Sequence, residues 1–299
     1  MPEAIARDAF VCACELDVRV RKPGNVSLAS PGHGMQAEMF IRSAHAAAEA
    51  LFTPGARVGA RIEAAQAASW AEAGCNTNLG ILLLCAPIAA AAERGEFPGD
   101  GVEQLHAALK DVLDDLDVDD TRAAYRAIAA ANPGGLGSAP AEDVHSAPSV
   151  NLRTAMALAA ERDSIARQYR GGFADLFDWA LPAFGPADRE LGCSPAQSPG
   201  PAMVRAVQRL YLTLLARLPD SHIVRKHGEA VAHTVMRSAQ GWRARAEAGE
   251  ALDADPGFAS WDEQLKAQGL NPGTTADLTV ATLMLAGLAG GVRGKWHGS

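Results

Sequence analysis

The sequence is poor in aromatic residues and in positive charge. Aromatic side chains make up 5% of its 299 residues, and the formal net charge is -8. Phosphate-backbone affinity comes from clustered Lys and Arg, so this charge balance argues against a nucleic-acid partner. The five cysteines follow no recognised zinc-ligand spacing, and a structural zinc module is therefore not expected.

Long hydrophobic runs and targeting signals are also missing. The longest apolar run, Leu79 to Ala92, is too short to span a bilayer comfortably and contains Pro87, so it predicts a buried core helix. The N-terminus carries charged residues of both signs where a secretory signal has a basic region followed by an apolar run. We therefore expect a cytoplasmic protein with no membrane partner.

What the sequence does contain is helical periodicity, with alanine filling whole segments and 48% hydrophobic residues overall. No segment shows convincing strand-type alternation. The proline-rich stretch over 182–201 could divide the chain, but we favour a single domain over 1–299. The expected fold is all-α, a multi-helix orthogonal bundle with a central polar ligand site, with helices over 3–19, 36–52, 57–73, 79–93, 101–115, 120–131, 150–170, 201–217, 228–247, 259–268 and 275–289.

Two polar turns suggest where a ligand binds. The segments 21–27 (RKPGNVS) and 74–80 (GCNTNLG) are dense in amide, hydroxyl and glycine groups, and each is joined directly to an apolar helical pattern. Turns of this kind offer polar groups to a ligand at a helix end. Ordinary turn and cap chemistry is the alternative for either segment alone. Together they indicate a small-molecule enzyme.

Two aspartates occupy apolar helical patterns. Asp163 falls on the same predicted face as the apolar residues of 150–170, so it should be ion-paired, metal-bound or facing a cavity. A salt bridge to Arg162, to Arg167 or to a neighbouring helix is the plainer alternative. Asp277 is the only charged residue between Thr274 and Val292. Helix capping explains its position but not the lack of other charge, which favours a ligand or metal role.

Two further polar segments lie between predicted helices. Arg225 and Lys226 are adjacent cations that suit an anionic substrate group, although a helix C-terminus would also favour them. Asp143 and His145 follow a glycine-rich loop, where metal binding and simple exposure are both open.

Taken in order, these motifs resemble the triphosphoribosyl-dephospho-CoA synthase family, and the resemblance covers most of the chain. The residues that carry it are Glu15 with Lys22-Pro23-Gly24, Gly74 with Asn76-Thr77 and Gly80, Gly134-Gly135, Arg162 to Ala166 with Tyr169, Arg225-Lys226 with Gly228, and Asn271 to Leu278. The resemblance implies an all-helical enzyme that uses ATP and a divalent cation. In that reaction the 2′-hydroxyl of dephospho-CoA displaces adenine from the ATP ribose.

Ribosyl transfer develops positive charge at the anomeric carbon, which nearby carboxylates stabilise while a metal and basic groups hold the polyphosphate. We expect Asp163 to be the catalytic carboxylate, as base or electrostatic partner, and Asp143 and Asp277 to bind Mg²⁺. The expected phosphate contacts are Lys22, Arg225 and Lys226. The other expected substrate or nucleotide contacts are Gly24, Asn25, Asn76, Thr77, Asn78 and Arg162.

One departure bears on the substrate. The family pattern after Asn-Thr is His-Lys-Gly, whereas this chain has Asn78-Leu79-Gly80 and lacks an ammonium there. This version is similar to a branch in archaea and C1-metabolising bacteria, with phosphoribosyl transfer in tetrahydromethanopterin-type cofactor synthesis as one alternative. A non-catalytic nucleotide-binding homologue is another. The expected partners are a nucleotide and dephospho-CoA or another ribose-bearing molecule, and a homodimer is left open.

Overall fold

Helices build the described part of the chain, which confirms the all-α prediction. The structure, a computed structural model, describes residues 3–95, 97, 101–133, 141–185, 191–192, 198–290 and 292–293. Gly134 and Gly135 lie outside these residues. The helices are α1 (Glu3–Arg19), α2 (Ala37–Leu51), α3 (Val58–Ala73), α4 (Leu79–Glu93), α5 (Val102–Asp114), α6 (Val118–Ala131), α7 (Leu152–Ala157), α8 (Ser164–Gly171), α9 (Leu181–Phe184), α10 (Pro201–Arg217), α11 (Ser221–His227), α12 (Glu229–Glu247), α13 (Pro256–Ala267) and α14 (Gly273–Gly290).

Four short elements accompany these helices in the described residues. A π-helical turn, Leu176–Ala180, leads directly into α9, and a 3-10 turn, Leu252–Ala254, precedes α13. Two strands of two residues, β1 (Leu191–Gly192) and β2 (Val292–Arg293), pair in parallel. Ten of the eleven helices predicted from the sequence occur within three residues of their predicted bounds.

The predicted single helix over 150–170 is wrong. The chain leaves α7, turns, and begins α8 after Asp163, whose backbone is extended. One oxygen of the Asp163 carboxylate accepts the N–H groups of Ile165 at 2.9 Å and Ala166 at 3.1 Å. An aspartate that accepts these groups starts a helix and does not continue one. Asp163 is therefore the N-cap of α8, not a member of a buried apolar stripe.

Helices α4 and α14 pack against each other in the core, with α1 also against α14. Helices α4 and α14 are apolar on every face, which is typical of a helix surrounded by protein. The hydroxyls of Thr279 and Thr282 are satisfied within α14, because they donate to the carbonyls of Thr275 and Leu278 at 2.8 Å each. None of the helices in the described residues combines the length and apolar character needed to cross a bilayer.

A proline inside α4 is compensated by a tyrosine from α8. Pro87 has no N–H to donate to the carbonyl of Leu83, one turn earlier. The buried hydroxyl of Tyr169 donates to that carbonyl instead, at 2.6 Å. An unpaired buried carbonyl is costly, so this bond both satisfies α4 and fixes α8 beside it. The N-cap Asp163 is positioned through the same contact.

We expect Tyr169→Phe to lower the free energy of unfolding by about 1–3 kcal/mol, because the Leu83 carbonyl would lose its partner while still buried. Chemical denaturation followed by circular dichroism measures this. Tyr125→Phe is the matched control, since the Tyr125 hydroxyl donates at 2.7 Å to the part-exposed carbonyl of Glu142. Equal stability of Tyr169→Phe and the wild type would contradict the compensation.

Candidate active site

Four of the described helices begin at one cavity of about 490 Å³. Its wall includes first-turn residues of α4, α8, α11 and α14, namely Leu79, Gly80, Ile165, Ala166, His222, Thr274 and Ala276, and it also includes Asp277, just beyond the first turn of α14. A helix N-terminus carries the positive end of the helix dipole, although side chains accept several of the first N–H groups at these four starts. Four such ends around one cavity favour an anionic ligand, and the volume is that of an ordinary small-molecule site.

A buried carboxylate joins two of these helix starts. One oxygen of Asp220 caps α11 by accepting the N–H groups of His222 and Ile223 at 2.9 and 3.1 Å. The other accepts the N–H and the hydroxyl of Thr275 at 2.7 and 2.8 Å. Ser221 adds a link to α8, because its hydroxyl accepts the Ser164 N–H at 2.8 Å. The starts of α8, α11 and α14 are thus fixed relative to one another.

Asp163 faces the cavity in an ion pair with the neighbouring helix. Its second carboxylate oxygen accepts a hydrogen bond from Nη1 of Arg225 at 2.7 Å, and both residues line the cavity. The Nε of Arg225 is buried and makes no hydrogen bond with a residue that the structure describes. Arg162 also lines the cavity, is exposed, and forms no ion pair within the described part of the chain. Two guanidinium groups are therefore available beside the catalytic candidate.

Asp277 is the most constrained carboxylate of the site. It lines the cavity and makes no side-chain hydrogen bond or ion pair with any residue that the structure describes. A Cβ atom on Gly80 would lie 2.0 Å from its Oδ2, so only glycine leaves room for the carboxylate. Burial raises the pKa of Asp277 well above its usual value, and the nearby carboxylates of Asp220 and Asp17 raise it further. Arg225 opposes these effects without cancelling them.

A buried lysine supports the wall next to Asp17. The ammonium of Lys22 has no solvent exposure, donates to Oδ1 of Asn25 at 2.7 Å, and lies 3.2 Å from Oδ1 of Asp17. The amide of Asn25 in turn donates to Oδ1 of Asn271 at 2.9 Å. Asp17, Asn25 and Asn271 line the cavity, whereas Lys22 does not. Burial raises the pKa of Asp17, and Lys22 partly offsets that effect.

Gly24 packs the turn between Lys22 and Asn25 against the loop before α14. Its φ is +82°, a region that favours glycine, and its N–H donates to Oδ1 of Asp262 at 2.8 Å. A Cβ atom at this position would lie 2.7 Å from Cδ of Pro272. Gly24 therefore holds the turn in place from behind the cavity wall.

The Asn76-Thr77-Asn78 turn has mixed roles. Asn76 and Thr77 line the cavity, and Oδ1 of Asn76 accepts the Leu79 N–H at 3.2 Å at the start of α4. The Thr77 hydroxyl lies 2.8 Å from the Ser43 hydroxyl. Asn78 is buried behind the wall, with its amide 2.9 Å from the same Ser43 oxygen. Leu79 thus presents an apolar side chain to the cavity beside Asp277 and Gly80.

Eight of the twelve predicted site residues line this one cavity, and four lie outside its lining. Asp143 lines it from the loop over 141–151, where its Oδ1 accepts the His145 N–H at 2.9 Å. Lys226 is exposed and outside the lining, as Lys22, Gly24 and Asn78 are, so direct contact by these four stays a prediction. Within the described residues, no three His, Cys, Asp or Glu side chains form a metal-binding group by themselves.

Sequence reasoning missed several residues of the lining, including Asp17 and His222. It also missed Asp220, which is buried under the starts of α11 and α14. Burial, together with the nearby charges of Lys226 and Arg225, lowers the pKa of His222 to about 4. The signal was an Asp-Ser-His sequence that caps a helix of only seven residues, too short for helical periodicity to reveal.

The remaining wall is apolar and comes from other elements. Helices α6 and α7 and the turns that follow them contribute Tyr125, Ile128, Ala155, Met156, Leu158 and Ala159. Leu158 is 54% exposed, and the Tyr125 hydroxyl anchors the loop over 141–151 through the Glu142 carbonyl. A charged region built from helix starts thus faces an apolar one, an arrangement suited to a ligand with a polyphosphate and a ring.

Comparisons with known proteins agree with this geometry. A family model described as CitG, ATP:dephospho-CoA triphosphoribosyl transferase, matches residues 3–295. The chain is similar to the crystal structure of a proposed triphosphoribosyl-dephospho-CoA synthase from Archaeoglobus fulgidus. That match has a TM-score of 0.61 and 23% identity, and it covers 84% of this chain and 98% of the other. No protein with a curated function matches. The chain therefore belongs to the CitG family of ATP:dephospho-CoA triphosphoribosyl transferases, and it is a transferase.

Proposed function

We propose that this protein transfers the triphosphoribosyl group of ATP to the ribose 2′-hydroxyl of 3′-dephospho-CoA and releases adenine. The observation that carries the proposal is the meeting of four helix N-termini and two arginines at a cavity that also holds the Asp277 carboxylate, which has no partner among the described residues. The helix starts and the guanidinium groups of Arg162 and Arg225 favour a polyphosphate. The apolar wall offers a surface to the adenine ring.

The carboxylates require a cation between them and the phosphates. Asp17, Asp163 and Asp277 line the same cavity, and a bare triphosphate would be repelled by them. Mg²⁺ prefers oxygen ligands and is usually held by one or two carboxylates together with substrate phosphates. The residues fit this ion, because Asp277 is an enclosed oxygen donor with no protein partner in the described residues. Asp277 and Asp143 would hold the metal, which would neutralise charge on the triphosphate.

Asp163 would act on the reacting sugar through its charge. One of its oxygens accepts two backbone N–H groups and the other pairs with Arg225, so the carboxylate is held in a fixed orientation. A fixed negative charge stabilises the positive charge that develops at the anomeric carbon as the bond to adenine breaks. Electrostatic stabilisation is therefore the role that this geometry favours over proton transfer.

The apolar Leu79 side chain favours one second candidate, phosphoribosyl transfer from phosphoribosyl pyrophosphate to a pterin-linked acceptor. It lines the cavity at the start of α4, where an ammonium would add a contact to a third phosphate. A donor with a different phosphate arrangement would lose less binding energy when leucine takes the place of that ammonium group. The two candidates share the sugar chemistry and differ in donor and acceptor.

Incubation of the purified protein with Mg²⁺, ATP and dephospho-CoA should yield free adenine and the triphosphoribosylated product in equal amounts, as measured by mass spectrometry. Omitting Mg²⁺ or dephospho-CoA should abolish both signals. A parallel reaction with phosphoribosyl pyrophosphate tests the second donor. Absence of adenine, with the helical fold verified by circular dichroism, would overturn the synthase proposal.

Asp163→Asn should lower kcat by about 10²-fold or more while changing stability little, because asparagine still caps α8 but lacks the charge. Asp255→Asn is a matched control. Asp255 also caps a helix, accepts the Gly257 N–H at 2.7 Å and pairs with Arg245 at 2.6 Å, yet lies outside the cavity. Equal kcat values for the two variants would remove Asp163 from the mechanism.

Asp277→Asn should change the response of the protein to magnesium. Because the folded-state pKa of Asp277 is raised, its ionisation destabilises the fold progressively as the pH rises from the usual aspartate range through that raised pKa. At pH 7 without metal, the variant should therefore unfold at a higher temperature than the wild type.

Adding Mg²⁺ and ATP should stabilise the wild type by more than the variant, as measured by thermal unfolding. Asp111→Asn, on the exposed surface of α5, serves as the control. An Asp277→Asn variant with the same metal-dependent shift as the wild type would show that magnesium binds elsewhere.

A further inference from the structure

His222 is a cavity residue to which the mechanism above gives no role. It is the second residue of α11, and its imidazole makes no hydrogen bond or ion pair with any described residue. The two residues before it are polar and make bonds of their own: the Asp220 carboxylate accepts the His222 N–H, and the Ser221 hydroxyl accepts the Ser164 N–H. An unbonded imidazole at the wall of a site has a nitrogen available to a substrate.

The position of the ring is fixed by its surroundings. A Cβ atom on Gly273 would lie 3.6 Å from Nδ1 of His222, so the ring packs beside the first residue of α14. His222 and Arg225 are three residues apart on one helix and share a face. Because Arg225 pairs with Asp163, this places the imidazole on the side of α11 that faces the reacting sugar in the proposed function.

The protonation state suits proton acceptance. Burial, together with the charges of Lys226, Arg225, His33 and His227, lowers the pKa of His222 from 6.5 to about 4. The imidazole is therefore neutral at physiological pH. A bound polyphosphate would offset part of the nearby positive charge and move this pKa back towards its usual value, where a general base is more effective.

The other titratable groups of the wall have fixed partners or another role. Asp163 uses one oxygen on the start of α8 and the other on Arg225. Asp17 lies against the ammonium of Lys22, and Asp277 is the proposed metal ligand. Of the cavity-lining residues described here, His222 is the one neutral nitrogen base without a bonded partner.

We propose that His222 is the general base that accepts the proton of the attacking hydroxyl group. This inference rests on the proposed function. The hydroxyl oxygen forms a bond to the anomeric carbon and gives its proton to the imidazole. The bond from that carbon to the adenine nitrogen breaks, and its electron pair leaves with adenine. Adenine gains one proton, His222 releases one, and the transfer as a whole consumes none.

The groups that face His222 define the expected pH behaviour. They are Arg225, Lys226 and His227 on its own helix, His33 from the loop after α1, and the capping carboxylate of Asp220. With Mg²⁺ and ATP bound, kcat of the wild type should fall as the pH is lowered through the range between about 4 and 6.5, because the imidazole becomes protonated. A variant without the imidazole should lack this acid limb.

The test is a comparison of His222→Gln with the wild type and with His227→Gln, a variant of the exposed histidine at the end of the same helix. At pH 7.5, His222→Gln should lower kcat by about 10²–10⁴-fold. Its affinity for Mg²⁺ and ATP, measured by calorimetry, should stay within about twofold of wild type, as expected for a group that acts on the hydroxyl and not on the donor. His227→Gln should retain wild-type kcat.

A second variant distinguishes the loss of the imidazole from misfolding. Added imidazole should restore part of the activity of His222→Ala, which a purely structural residue would not allow. If the wild type releases adenine and His222→Gln has the same kcat and pH profile, the role of His222 would be overturned while the proposed function would stand. A wild type that releases no adenine would overturn the proposed function and this inference together.

Discussion

The site depends on one buried carboxylate that serves two helices. Asp220 caps α11 with one oxygen and holds Thr275 near the start of α14 with the other. Burial raises the pKa of this carboxyl, while its bonds to Thr275 and Ile223 lower it. The four donors compensate for a charge that would otherwise be costly in the core. Because Asp220 sets α11 against α14, it also sets Arg225 against Asp277.

The second constraint is the close approach of α4 and α14. Gly80 leaves the space that the Asp277 carboxylate fills, and Pro87 frees the carbonyl to which Tyr169 of α8 donates. The same core helix therefore positions one carboxylate directly and another, that of Asp163, through α8. Two groups far apart in the sequence therefore reach one cavity through contacts with the same helix.

Charge explains why this arrangement is useful to a transferase. Helix starts and arginines favour phosphates, whereas four aspartates that line the same cavity oppose them. Such a site is poorly satisfied when it holds neither metal nor polyphosphate, and the raised pKa of Asp277 is the result. A magnesium-bound polyphosphate meets both requirements at once. In the proposed function the energy gained at the phosphates would position the anomeric carbon beside Asp163.

The sequence predicted the helices well because periodicity and turn residues are local signals. It also predicted that Asp277 and most of the polar turns belong to one site. It failed where a polar side chain took a specific partner. Asp163 starts a helix by accepting nearby backbone N–H groups, and the Lys22 ammonium is paired with Asp17 and Asn25. The Asp163–Arg225 pair and the Asp220–Thr275 bond join segments far apart in the sequence. Periodicity shows which residues are apolar and does not specify such partners.

The most direct test of the account is a crystal structure of the protein with Mn²⁺ in place of Mg²⁺ and a nonhydrolysable ATP analogue. The account predicts an anomalous peak in contact with the Asp277 carboxylate, and a triphosphate against the starts of α4, α11 and α14. A nucleotide bound outside this cavity, or a metal peak with no contact to Asp277, would contradict it.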